Sequence, residues 1–268
     1  MSDFKIDLPS AKFKQKATLT SIVILLVALL CSYIQFNPLV IFTEFHFLQE
    51  FFVELFPPNY ALFYENEGVG QSILQTLSMA FLGTIFGGFI GFILSFFAAN
   101  NIFQIPFLRN ISKSFLAMIR VIPSLVVILI FVIAVGPGSF AGVLTLIITT
   151  IGVFGKLFTE VLENAEDAPS ESIYCVGASH VQVIRYSIIP QVLPALISNL
   201  LYAFDLNMRA AIGLGIFGGG GIGFKLYMAM RVLHYQDATA LITMIVLMLL
   251  IVENTSNFLR GKLLGEKL

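Results

Sequence analysis

The sequence predicts an all-α, polytopic membrane protein with about six transmembrane helices. Three observations lead there. Of the 268 residues 57% are hydrophobic and only 12% are charged, roughly half the charged share of a soluble domain. Uncharged runs long enough to cross a bilayer recur along the chain. The breaks between them carry Pro, Gly and charged residues. The net charge of −1 selects no partner class, because in a membrane protein the placement of charge matters more than its sum. Cys31 lies in an apolar run and Cys175 in a polar loop, so no disulfide or metal framework is predicted. His46, His180 and His234 fall on separate segments, which also argues against a metal site.

Taken in order, residues 1–16 form a polar tail with Lys5, Lys12, Lys14 and Lys16. Ala17 to Ile34 carries no charge and makes a first span, too long for a cleavable signal and without a small-x-small cleavage site. Residues 36–70 hold Glu44, Glu50, Glu54, Glu65 and Glu67 and no Lys or Arg. Their phenylalanines, from Phe42 to Phe56, alternate with polar groups, which suggests an interfacial helix ended by Pro57-Pro58-Asn59. Gln71 to about Ala99 makes the second span. Gly83, Gly87 and Gly91 sit four apart on one of its faces, two overlapping small-xxx-small units that let another helix approach.

Arg109 and Lys113 are read as a short loop, and Phe115–Val135 as span three, with Arg120 near its start and a kink at Pro123. Gly136-Pro137-Gly138 is a tight turn, and Phe140–Phe158 is span four. Residues 165–194 are the longest polar-interrupted stretch. They read as a helix from Ser170 to Val176, a turn at Gly177-Ala178-Ser179 and a second helix to Ile189. Gly177 can turn the backbone without a Cβ clash, and Pro190 and Pro194 suit the first turn of a following helix. Span five covers Val192–Ile216 and span six Ala238–Val252, with a glycine cluster at Gly218–Gly221 and Gly223 between them.

Charge asymmetry sets the orientation. With the N-terminus inside and six spans, all but Arg209, Lys225 and Arg231 of the 15 Lys and Arg fall at the cytoplasmic side or its edge. Both termini and the stretch at 165–190 are then cytoplasmic. Within span five Asp205 and Arg209 are four apart, on one face of a helix, at a depth where a lone charge is expensive. Mutual neutralisation is one reading. The other puts Arg209 in a translocation path, where a guanidinium matches an oxyanion in bidentate fashion. Arg120 is a weaker candidate for the same path, equally suited to snorkelling.

Certain chemistries are excluded or disfavoured. Gly155-Lys156 and Gly261-Lys262 are each followed by Leu, so no phosphate-binding loop of the Gly-x4-Gly-Lys-Ser/Thr type exists, and the chain is not expected to be an enzyme. Gly213, Gly215 and Gly218 spell Gly-x-Gly-x-x-Gly, with Asp237 about 20 residues on. Such a fingerprint needs a preceding strand, and the context is a membrane helix, so close packing or an irregular backbone explains it better.

Glu171 lies six residues before Gly177, and Pro190 thirteen after it. That spacing resembles the "EAA" loop of permease subunits in ABC importers. Ser172-Ile173 stand where two alanines are usual, and Ser187-Ile188-Ile189-Pro190 replaces an Ile-x-Leu-Pro ending. The segments Val176–His180, Gln182–Arg185, Tyr202–Ala210, Gly218–Phe224 and Arg231–Asp237 together are similar to the permease of phosphonate importers, a likeness covering about 70–262.

The resemblance implies a type I ABC importer permease fold in a bacterial inner membrane. Its parts would be a cytoplasmic tail (1–16), a first helix with an extracytoplasmic interfacial segment (17–70), a permease core with its coupling loop at 165–190 (71–262) and a cytoplasmic tail (263–268). It implies import of phosphonate or a related phosphorus oxyanion; an amino acid or another small anion is the alternative cargo, and an ion-driven carrier the alternative class. Implied partners are cytoplasmic ATPase subunits, an extracytoplasmic binding protein, a second permease copy in a homodimer, and membrane lipid, with no nucleic acid. ATP and magnesium belong to the ATPase, and this chain itself binds no cofactor. Glu171, Gly177, Ala178, Ser179 and Pro190 would couple it to that ATPase.

Overall fold

A computed structural model describes residues 11–37, 40–65, 68–103 and 105–264. The tail at 1–10 with Lys5, together with Glu67 and Lys267, lies outside them. Every regular element among the described residues is helical, as expected of a chain whose backbone must satisfy its own hydrogen bonds in lipid. The chain divides into two units, Met1–Glu54 and Leu55–Leu268.

The first unit holds α1 (Ala11–Tyr33), α2 (Val40–Thr43) and most of α3 (Phe45–Leu55). The apolar stretch of α1, Thr18–Tyr33, exposes Leu19, Ile22, Ile24 and Leu25, the pattern of a surface meant for lipid or another helix. On α3, His46 and Glu50 pair at 3.3 Å across one turn.

The second unit begins with α4 (Leu62–Glu65) and α5 (Gly68–Ala98). It continues through α6 (Pro106–Val121), α7 (Ser124–Val135), α8 (Ser139–Glu163), α9 (Asp167–Cys175) and α10 (His180–Val183). A π-helical turn at Ile184–Ile188 leads into α11 (Ile189–Leu214), and a kink at Gly215–Gly219, where Phe217 and Gly218 leave helical geometry, leads into α12 (Gly221–Arg231) and α13 (Tyr235–Leu264). Four helical stretches are long and apolar enough to span a membrane: Gly68–Ala98, Ser139–Glu163, His180–Gly219 and Tyr235–Lys262. The α6–α7 pair makes a fifth if counted together; the apolar helix at Thr18–Tyr33, where the sequence places the first span, is shorter than these.

Two boundaries differ from the sequence reading. Span three does not start at Phe115. Arg109 and Lys113 lie on α6, which opens with Pro106 in its first turn and bends by 86° into α7. Ile122, held extended before Pro123, makes the break. Span five does not begin afresh after Pro190 either. The helix runs from His180 to Gly219, 40 residues. The π turn shifts the pairing so that the Ile189 N–H reaches the Ile184 carbonyl, a local widening that carries the chain past Pro190 and Pro194.

The core is built on α5 and α8. A Cβ on Gly83 would lie 2.5 Å from the Leu146 Cβ, one on Gly87 2.6 Å from the Thr150 Cβ, and one on Gly91 3.2 Å from the Gly155 nitrogen. The two backbones therefore pass each other with no room for side chains along this face. Around them Met79, Ile128, Leu146, Met208, Leu214, Ile222 and Leu241 are buried in one cluster. A second cluster, at the other end of the helices, joins Ala99, Ile102, Phe154, Phe158, Leu162, Ile188, Val192 and Leu196. The glycine cluster is a backbone-on-backbone junction. Gly218 takes φ +95°, and its carbonyl accepts the Gly138 N–H at 2.7 Å. A Cβ on Gly215 would meet the Gly220 oxygen at 2.6 Å. Gly213, by contrast, faces open space.

Candidate functional site

The elbow between α8 and α11 is held by local hydrogen bonds that its sequence specifies. Helix α9 ends with Gly177 at φ +84°. The Gly177 N–H donates to the Tyr174 carbonyl at 2.9 Å and the Ala178 N–H to that of Ile173 at 3.4 Å. This is the Schellman pattern, which needs a residue that tolerates a left-handed conformation. Ser179 then caps α10 in a capping box with Gln182, whose Oε1 accepts the Ser179 N–H at 2.8 Å. The start of α9 is stapled back onto the following helix. The Glu166 N–H donates to Gln191 Oε1 at 3.1 Å, Ser170 and Ser187 share a 2.9 Å hydroxyl bond, and Gln191 Nε2 donates to the Ser187 hydroxyl at 3.1 Å. The elbow is thus a fixed bend with an outward face. Val176 (83%) and Val181 (72%) are exposed there with Tyr186. Glu171 and Pro190 are exposed too, and Glu171 has no hydrogen-bond or ion-pair partner among the described residues.

His180, to which the sequence assigns no role, is a structural link. Its Nδ1 lies 2.5 Å from the Tyr174 hydroxyl and its Nε2 2.9 Å from the carbonyl of Ile102, in the loop after α5. A carbonyl only accepts, so Nε2 carries a proton; in the neutral imidazole Nδ1 then accepts from Tyr174. Nothing in the sequence marks Ile102 as its partner, 78 residues away.

Asp205 and Arg209 do pair: Arg209 Nη1 donates to Asp205 Oδ2 at 2.5 Å. Arg209 also has a second carboxylate partner, Glu253 on α13, with Nη2 2.9 Å from Oε2. The cluster therefore holds two acids and one base. Asp205 is buried, while Arg209 and Glu253 are each nearly half exposed. Oδ1 of Asp205 is buried with no hydrogen-bond partner among the described residues. About half a turn away, on another side of the helix, Asn207 donates from Nδ2 to Thr84 Oγ1 and Thr150 Oγ1, both at 2.9 Å, tying α11 to α5 and α8. Glu253 and Asn207 had one faint sequence signal, a polar group in an apolar run. Their partners only the fold supplies.

Arg120 is brought near neither of these. It lies in the last turn of α6, exposed and without an ion-pair partner among the described residues. It lines a cleft of about 550 Å³ with Lys113, Lys156, Glu160 and Glu163. In that cleft Lys113 pairs with Glu163 at 2.8 Å and Lys156 with Glu160 at 3.6 Å. No group of three or more His, Cys, Asp or Glu residues among those described could hold a metal ion.

Residues 91–260 match the model of the family described as binding-protein-dependent transport system inner membrane component. The chain is 34% identical over 190 residues to the phosphite transport system permease protein PtxC of Stutzerimonas stutzeri, covering 71% of this chain and 69% of that one. It is 40% identical over 117 residues to the putative cryptic phosphonate transport system permease protein PhnE2 of Escherichia coli K12, covering 44% of this chain and 96% of that one. A chain of the MetNI methionine ABC transporter, solved in inward-facing conformations, superposes with a TM-score of 0.63 at 16% identity, covering 73% of this chain and 95% of that one.

Proposed function

The chain belongs to the family of binding-protein-dependent transport system inner membrane components, and from that premise we propose that it is the membrane-spanning permease subunit of an ATP-driven importer for phosphonate or a related phosphorus oxyanion. The observation that carries the importer class is the elbow: a fixed bend, presenting Glu171, Val176 and Val181 outward, between two spanning helices. The cargo class rests on the likeness to PtxC and PhnE2. The fold itself, a type I importer permease fold, is shared with a methionine transporter and does not choose between cargoes.

The remaining parts follow from that role. The protein lies in the bacterial cytoplasmic membrane with both termini and the elbow inside, the side to which its Lys and Arg residues point. ATP and magnesium bind a separate cytoplasmic ATPase, whose cleft would cover the apolar face of the elbow. An extracytoplasmic receptor delivers the solute, a second copy of the chain completes the path, and this chain binds no cofactor. Closure of the ATPase pair pushes the two elbows together. Because Gly177, Ala178 and Ser179 lock α9 to α10, the push passes into α8 and α11 instead of being absorbed by the loop. The motor must bind the outward-open arrangement more tightly for this to shift the population.

Arg209 is the residue assigned to the oxyanion. Its fork is occupied by two carboxylates, so meeting a solute requires Glu253, the exposed one, to let go. Reconstitution of the permease with its ATPase and receptor in liposomes tests the reading. Phosphite, phosphate or methylphosphonate should enter only with ATP and receptor. Uptake without ATP would sink the importer class, and uptake of methionine in place of all three would sink the cargo.

A further inference from the structure

We propose that His180 is a positioning residue that gives the elbow a third mechanical outlet, into α5 and α6, besides the two helices it joins covalently. This rests on the importer reading above and names how that coupling is distributed. A single imidazole links the piece of chain that carries it to two others. Tyr174 lies on α9, His180 itself opens α10, and Ile102 lies in the α5–α6 loop. The Tyr174 and His180 rings also stack, their planes 15° apart, so the hydroxyl–imidazole bond is set by the elbow's own geometry.

The loop on the receiving side is itself tied down. The Asn100 N–H donates to Glu163 Oε1 at 2.9 Å, and Asn101 Nδ2 donates to the Leu162 carbonyl at 2.7 Å. Lys113 on α6 reaches both Glu163, at 2.8 Å, and the Asn100 side chain, at 3.2 Å. The Ile102 side chain is buried in the same apolar cluster as Ile188 and Val192, on the helix leaving the elbow. Residues 99–103 are therefore a node at which the ends of α5 and α8 and the side of α6 meet. The His180 bond is the polar link from the elbow to that node. Asn100 and Asn101 tie the α5–α6 loop to the end of α8, and the His180 bond ties it to α9 and α10 as well. With Nε2 held on the Ile102 carbonyl, it moves with the elbow.

The test uses the assembled transporter in liposomes, comparing wild type with His180→Ala, Tyr174→Phe and His180→Gln. Solute imported per ATP hydrolysed is the readout, alongside co-purification of the ATPase and thermal stability. Losing both hydrogen bonds in His180→Ala should lower imported solute per ATP by about tenfold while hydrolysis and co-purification persist. Tyr174→Phe, which removes one hydroxyl, should give an intermediate loss. His180→Gln, which restores a donor to the Ile102 carbonyl, should recover part of it. Wild-type coupling in His180→Ala overturns the proposal. So does a loss of assembly or stability in Tyr174→Phe and His180→Ala with coupling intact in what remains, since that marks a merely structural tie. Failure of wild type itself to import with ATP would instead reject the importer reading.

Discussion

Replacing Gly177 isolates the mechanical role of the elbow from its surface. Gly177 sits at φ +84° with no atom within 4 Å of where a Cβ would be, so a substitution meets no neighbour and its cost is backbone strain alone. An L-residue in the left-handed region costs about 1–2 kcal/mol, and a β-branched one moves towards about 3 kcal/mol. Asparagine adopts that region with little penalty. At about 1.4 kcal/mol per factor of ten, Gly177→Ala should shift the elbow away from its bent form by about tenfold, and Gly177→Val by about a hundredfold. Gly177→Asn should stay close to wild type. What is lost is the pair of bonds from Gly177 and Ala178 to Tyr174 and Ile173, hence the rigidity of the bend. The assay is ATP-driven uptake divided by ATP hydrolysed, with co-purification of the ATPase as a check on assembly. The expected order is wild type, Asn, Ala, Val. A Gly177→Val protein that imports normally per ATP would refute the reasoning, as would equal losses in all three variants, which would point to an added side chain obstructing the docking face rather than to strain.

The same structure makes three further predictions. Gly87→Leu drives a Cβ to 2.6 Å from the Thr150 Cβ and 2.8 Å from the Ile147 oxygen. Such overpacking should cost about 1–3 kcal/mol and lower the thermal midpoint in detergent, whereas Gly70→Ala on the same helix, with open space around it, should leave the midpoint unchanged. Asn207→Ala removes two inter-helix hydrogen bonds, and an equilibrium unfolding measurement should show a loss of about 1 kcal/mol, the scale of polar contacts between membrane helices. Arg209→Ala should destabilise the protein because it strands the buried carboxylate of Asp205. The double variant Asp205→Asn/Arg209→Ala should recover stability without recovering uptake. If the double variant transports normally, Arg209 has no part in the path.

Much of this protein was legible in one dimension because the physics behind it is local. Spans follow from runs of apolar residues, and α5, α8, the helix starting at His180, and α13 lie where those runs do. The turn at Gly177 followed by the Ser179 cap is written in adjacent residues. Even so, the bounds of α6 do not stand out in the sequence, because its periodicity is amphipathic rather than uniformly apolar and its start is marked only by Pro106. Pro190 does lie in the first turn of α11 but starts no new span, since the π turn before it keeps the helix continuous and accommodates the missing N–H at little expense when neighbouring helices support it.

What only the tertiary structure decided are the pairings across helices: Glu253 on Arg209, Asn207 on Thr84 and Thr150, and His180 on the Ile102 carbonyl. The reason is geometric. Hydropathy and turn chemistry act between residues a few positions apart. Which polar groups meet in the membrane depends on the depth and rotation of each helix, and those are set by close-packed contacts such as the glycine face of α5 against α8.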